Sequence, residues 1–101
     1  MTKIRRIVLL KFKPEITEET IQSLFDAFRA ACDGKIPGMT CFSAGAYSSP
    51  EGLNKGFTHA LTMKFESELS RDNTYSHPEH FRIKDLVFPT VDDMIGFEYA
   101  L

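Results

Sequence analysis

The chain has 101 residues, 43% of them hydrophobic and 26% charged, and a formal net charge of −2. That length holds one hydrophobic core, so residues 1–101 are expected to form one domain. The slight acidity argues against a nucleic-acid binder, and the longest apolar run, residues 7–10, is too short to cross a membrane.

Residues 3–13 read as the first strand. Ile4, Ile7, Val8, Leu9, Leu10 and Phe12 make it nearly continuous in apolar character, as suits a central strand covered on both faces. Alternation places Ile4, Arg6, Val8 and Leu10 on one face and Arg5, Ile7, Leu9 and Lys11 on the other. Arg6 thus shares a face with aliphatic residues and needs a counter-charge. Pro14-Glu15-Ile16 ends the strand. Thr17 is placed to cap a helix with Glu18 and Glu19 in its first turn, and Ile16 and Ile21 stand at staple positions. Ile21, Leu24, Phe25 and Phe28 mark one face of that helix, which runs to about Cys32 and closes at Asp33-Gly34.

A second strand is expected over residues 39–47, followed by a turn-rich loop over residues 48–56. The third strand, residues 57–66, alternates, with His59, Leu61, Met63 and Phe65 on one face. Ser67 can cap a short helix to about Asn73. In Tyr75-Ser76-His77-Pro78-Glu79-His80, His77 reads as the cap of a further helix. Pro78 fills its first position, where a missing N–H costs nothing, and Pro89 stops it after Phe88. The last strand, residues 93–99, separates Met94, Gly96 and Glu98 from Ile95, Phe97 and Tyr99. Strand, helix, strand, strand, helix, strand is the ferredoxin-like α+β order, βαββαβ. It sets the last strand antiparallel beside the first, so Glu98 comes opposite Arg6 and supplies its counter-charge. The couple is either a structural ion pair or part of a site.

His80, Ile83 and Val87 follow one helical stripe, which sets His80 at the rim of whatever that stripe covers. An imidazole there titrates near neutrality and could remove a proton beside a carbonyl. Alternatively, it bonds a backbone carbonyl and fastens helix to sheet. In the first case Thr74, Tyr75 or a water would hydrogen-bond the enolate oxygen, with Arg6 anchoring a carboxylate. His59 reads as a core histidine or as a polar contact to ligand. His77, Glu79 and His80 lack any recognised ligand spacing, so no metal and no cofactor are expected. Cys32 and Cys41 read as free thiols in a reducing cytoplasm.

Four segments together resemble the stress-responsive dimeric α/β-barrel family over essentially the whole chain. They are Ile7-Val8-Leu9-Leu10-Lys11-Phe12-Lys13, Gly56-Phe57-Thr58-His59-Ala60 with Phe65-Glu66-Ser67, His77-Pro78-Glu79-His80, and Phe97-Glu98-Tyr99. The resemblance implies a ferredoxin-like subunit whose sheet packs on a second copy to form a homodimeric barrel. The family includes a plant enzyme that cyclises a linear polyketide without a cofactor, in a pocket between sheet and helices. By that likeness the catalytic histidine falls on His80 and the tyrosine on Thr74, with Tyr75 adjacent. The first-strand histidine falls on Arg6 and the last-strand acid on Glu98. Arginine cannot act as a base, so Arg6 is left to orient, neutralise or bind an anion. The remaining implied lining is Val8, Leu10, Leu24, Phe25, Phe28 and Phe42, then His59, Leu61, Phe81, Ile83, Met94 and Gly96. The function implied is a cyclisation or lyase step by acid–base chemistry on a small hydrophobic ligand, anionic if Arg6 anchors it. The competing expectation is a non-catalytic stress-responsive or ligand-binding dimer.

Overall fold

The computed structural model describes residues 2–101. Its elements are β1 (Ile4–Phe12), α1 (Glu18–Ala30), β2 (Met39–Ala46), β3 (His59–Phe65), α2 (Glu68–Tyr75), α3 (Pro78–Val87) and β4 (Val91–Ala100). The strands form one antiparallel sheet in the order β2-β3-β1-β4. This is the ferredoxin-like α+β fold. β1 is central and its alternation decides the two faces. Ile4, Val8, Leu10 and Phe12 are buried against Ile21, Leu24 and Phe25 of α1 and Ile83 and Val87 of α3.

Each helix starts where a side chain can accept a free backbone N–H. Thr17 accepts from the Thr20 amide, Ser67 from the Ser70 amide and His77 Nδ1 from the Glu79 amide, at 3.2, 3.1 and 3.0 Å. Beyond α1, residues 31–35 form a wide turn that reverses through Gly34 at φ 123°. The expected short helix extends two residues further than Asn73, to Tyr75, and β4 begins two residues earlier than residue 93, at Val91.

The irregular composition of the second strand has a structural cause. Thr40 pairs with Lys64 but Ser43 pairs with Thr62, so β2 carries one extra residue, and Cys41 there adopts φ 56°. The bulge shifts the alternation, which lets Met39 and Phe42 both contact the helix-side core.

Among the described residues, no helix covers the opposite sheet face. Ile95, Phe97 and Tyr99 of β4 are exposed there, Phe97 by 60%, beside the half-buried Ile7 and Leu9. Both cysteines are free. Burial, and then neighbouring Asp33, push the Cys32 thiol up to about 11, which leaves it protonated and unreactive. Among the described residues, no helix is long and apolar enough to cross a membrane.

Candidate functional site

Arg6 is paired in register with Glu98 on one side and Met63 on the other, all three facing the helices. Arg6 Nη1 donates to Glu98 Oε2 at 2.8 Å. Room for the guanidinium comes from Gly96, where a Cβ would stand 3.1 Å from Arg6 Nη2. Arg71 of α2 also reaches Glu98, its Nη1 lying 3.5 Å from Oε1.

α2 and α3 meet at a sharp corner, where the His77 amide donates to the Thr74 carbonyl at 3.0 Å. That corner assigns different tasks to the two adjacent hydroxyls. Thr74 is 2% exposed and its hydroxyl donates to the Ser70 carbonyl at 2.9 Å. It is committed to the helix. The Tyr75 hydroxyl instead donates to Glu98 Oε2 and accepts from Arg6 Nη1 at 3.2 Å. The Arg6 guanidinium also stands 5.7 Å from the Tyr75 ring centroid. One helical corner on, the His80 ring lies 5.6 Å from the Tyr75 ring, tilted at 53°.

His80 Nδ1 is buried, and no group among the described residues hydrogen-bonds to it. The expected alternative of a ring bonded to a backbone carbonyl is not found. Burial, then the charges of Lys84 and Arg6, hold the imidazole below its ordinary value of 6.5. At neutral pH it is therefore an uncharged base between two cations.

Between sheet and helices lies a cavity of ≈ 60 Å³. It brings together Arg6, Val8, Leu10, Phe28, Thr74, Tyr75, His80, Ile83 and Met94 from the sequence-predicted set. Glu98 stands behind Arg6 and Tyr75, which it bonds. Sequence reasoning missed Ile36, Met39, Met63, Phe65, Lys84, Val87 and Phe88 in the wall. Met63 and Phe65 were accessible from the alternation that selects Leu61.

Seven expected lining positions lie elsewhere, Gly96 among them, where it makes room for the Arg6 guanidinium. Leu24, Phe25 and Leu61 point inward but are solid core, because an inward face covers both core and cavity. Phe42 stacks on the back of Phe28, ring centroids 6.0 Å apart and nearly parallel, and does not reach the hollow. Phe81 is 50% exposed, since one step past His80 turns a side chain by about 100° around the helix. His59 sits between Phe12 and Phe25, with Nδ1 2.9 Å from the Thr58 hydroxyl and Nε2 3.7 Å from Glu18. It borders a separate hollow of ≈ 330 Å³ beneath the loop that follows β2, among Tyr47, Leu53 and Phe57. Among the described residues, no group of three or more His, Cys, Asp or Glu could hold a metal ion.

Four antiparallel strands with helices on one face, enclosing an apolar hollow against an Arg–Glu–Tyr cluster, define a ferredoxin-like α+β protein with a cavity between its layers. Residues 4–101 match the stress responsive A/B barrel domain, and the chain belongs to that family. It is 26% identical over 97 residues to olivetolic acid cyclase of Cannabis sativa, covering 96% of this chain and 95% of that one. The structure of a hydroxynitrile lyase from Passiflora edulis is similar with a TM-score of 0.89 at 22% identity, over 98% of this chain and 93% of that chain. A dimeric ferredoxin-like protein of unknown function from Jannaschia sp. CCS1 has a TM-score of 0.86 at 16% identity, over 98% of this chain and 99% of the other. At these identities the two structures speak to the fold alone.

Proposed function

We propose that this chain is a cofactor-independent enzyme of small-molecule, polyketide-like metabolism, catalysing a cyclisation or lyase step with His80 as general base and acid. The observation that carries this reading is the buried, unpartnered Nδ1 of an uncharged imidazole on an apolar cavity wall. Greasy walls with a few convergent polar groups suit a small-molecule site. His80 takes a proton from the carbon beside a carbonyl. The developing enolate oxygen then competes with Glu98 for the Tyr75 proton, while Arg6 holds the Tyr75 hydroxyl in place and offsets the growing charge. His80 returns its proton to the product oxygen or leaving group. The likeness to a polyketide cyclase supports the substrate class. The hydroxynitrile lyase contributes a shared fold and nothing about substrate.

One observation favours a second reading, a non-catalytic ligand-binding barrel. The cavity of ≈ 60 Å³ is small against the roughly 300–1,000 Å³ of drug-sized pockets. Catalysis in it requires a compact substrate or outward movement of Phe88, which is already half exposed. Incubation with short linear β-polyketide thioesters, followed by mass spectrometry, separates the two readings. Ring formation faster than the spontaneous rate supports the enzyme, and its absence across a chain-length series favours the binding protein. Tyr75→Phe keeps the ring and removes the hydroxyl, with an expected loss of roughly tenfold in turnover and unchanged circular dichroism.

The helix-free sheet face fits a second copy of the chain, which would close two sheets into one barrel and cover Ile95, Phe97 and Tyr99. Phe97→Asp, which puts a charge on the exposed apolar side of edge strand β4, is expected to convert a dimer to a monomer in sedimentation velocity. A monomeric wild type would contradict the proposed assembly.

A further inference from the structure

We propose that Lys84 is the anion anchor of this cavity and that its ligands are small apolar carboxylates. The inference rests on the reading that the cavity receives a ligand, and it assigns the charge-recognising residue. Three cations surround the Arg–Glu–Tyr cluster and the hollow. Arg6 is satisfied by Glu98 at 2.8 Å and by the Tyr75 hydroxyl. Arg71 is shared between Glu98 at 3.5 Å and Asp72 at 2.9 Å. Lys84 lines the cavity, yet no ion pair joins it to any carboxylate among the described residues. Its ammonium instead lies over the Phe88 ring, 5.3 Å from the centroid, at the partly exposed rim. That contact is weaker than a charge-assisted bond to a carboxylate oxygen.

The spacing adds a constraint on the ligand. Lys84 is four residues beyond His80 on the same face of α3, about 6 Å along the helix axis. A ligand whose reacting carbon rests on His80 therefore meets Lys84 with a group roughly a helical turn further along α3. The wall between them is Ile83, Val87, Val8 and Met94, which suits a hydrocarbon body and strengthens an ionic contact by excluding water. Arg6, expected from sequence to anchor the carboxylate, is already engaged in holding Tyr75 and Glu98. Burial is the first cause that holds His80 down and Lys84 the second; a bound anion beside Lys84 offsets that second cause, so binding and imidazole basicity are coupled.

Benzoate and benzyl alcohol, nearly equal in size and different in charge, test this by NMR titration of the full chain. Benzoate is expected to bind about tenfold more tightly than the alcohol, with shifts at His80 and Ile83 and an upward move of the His80 titration midpoint. Lys84→Met keeps the apolar stem and should erase that preference, so that benzoate binds no more tightly than benzyl alcohol. Lys84→Arg should retain it. A Lys84→Met chain that still prefers benzoate overturns the role of Lys84 and leaves the cavity reading standing. Absence of shifts at His80 and Ile83 with either probe overturns both.

Discussion

His80→Ala is expected to lower turnover by about 10²–10⁴-fold, the usual worth of a positioned general base, while the thermal transition stays close to that of the wild type. The ring makes no hydrogen bond among the described residues, so its removal strands no polar partner. Its aromatic neighbours Tyr75 and Phe81 are both partly exposed. A collapse of the fold in this variant would instead assign His80 a packing role. The pH dependence carries the same signature. Because burial, Lys84 and Arg6 hold His80 below 6.5, kcat/KM should climb from the acid side and level off with a midpoint under that value. A histidine that binds its proton less readily folded than unfolded costs stability as the pH falls through 6.5 and contributes nothing above it. Both acid limbs should weaken in His80→Ala.

Leu61→Ala should be the most damaging single truncation of the sheet core, costing about 2–5 kcal/mol. Leu61 is 1% exposed and sits on β3 between Val8 and Ala44, away from the cavity wall. Against a total stability of roughly 5–15 kcal/mol, the loss should lower the melting temperature by more than about 10 °C. Calorimetry or urea denaturation reads it directly. A shift near zero would mean that the sheet and helices do not close on one shared core.

The architecture was legible because β3 alternates strictly, β1 is a nearly continuous apolar strand and each helix starts at a capping side chain. The pairing of Arg6 with Glu98 followed from strand order alone, since a charge on an aliphatic face has few ways to be satisfied. Three features lay beyond such patterns. The β2 bulge at Cys41 adds a residue that no periodicity marks, and it alone brings Phe42 round to Phe28. The choice between Thr74 and Tyr75 depended on where each hydroxyl points at the α2–α3 corner, which is a matter of tertiary geometry. The division of inward residues into core and cavity wall depends on where packing stops, so Leu24, Phe25 and Leu61 were indistinguishable in sequence from Val8 and Ile83. Lys84 was hidden for a different reason: a lysine on a helix reads as solvated until its neighbours show that it has no counter-charge.

The most direct measurement of the base itself needs no knowledge of the natural substrate. Ethyl acetoacetate in D₂O exchanges the protons beside its carbonyl, and proton NMR follows their loss. The wild-type chain should accelerate that exchange above the buffer rate, more strongly above pH 6.5 than below it, and His80→Ala should return it to background. Equal exchange rates with wild type, His80→Ala and no protein would contradict the assignment of His80 as a carbon base.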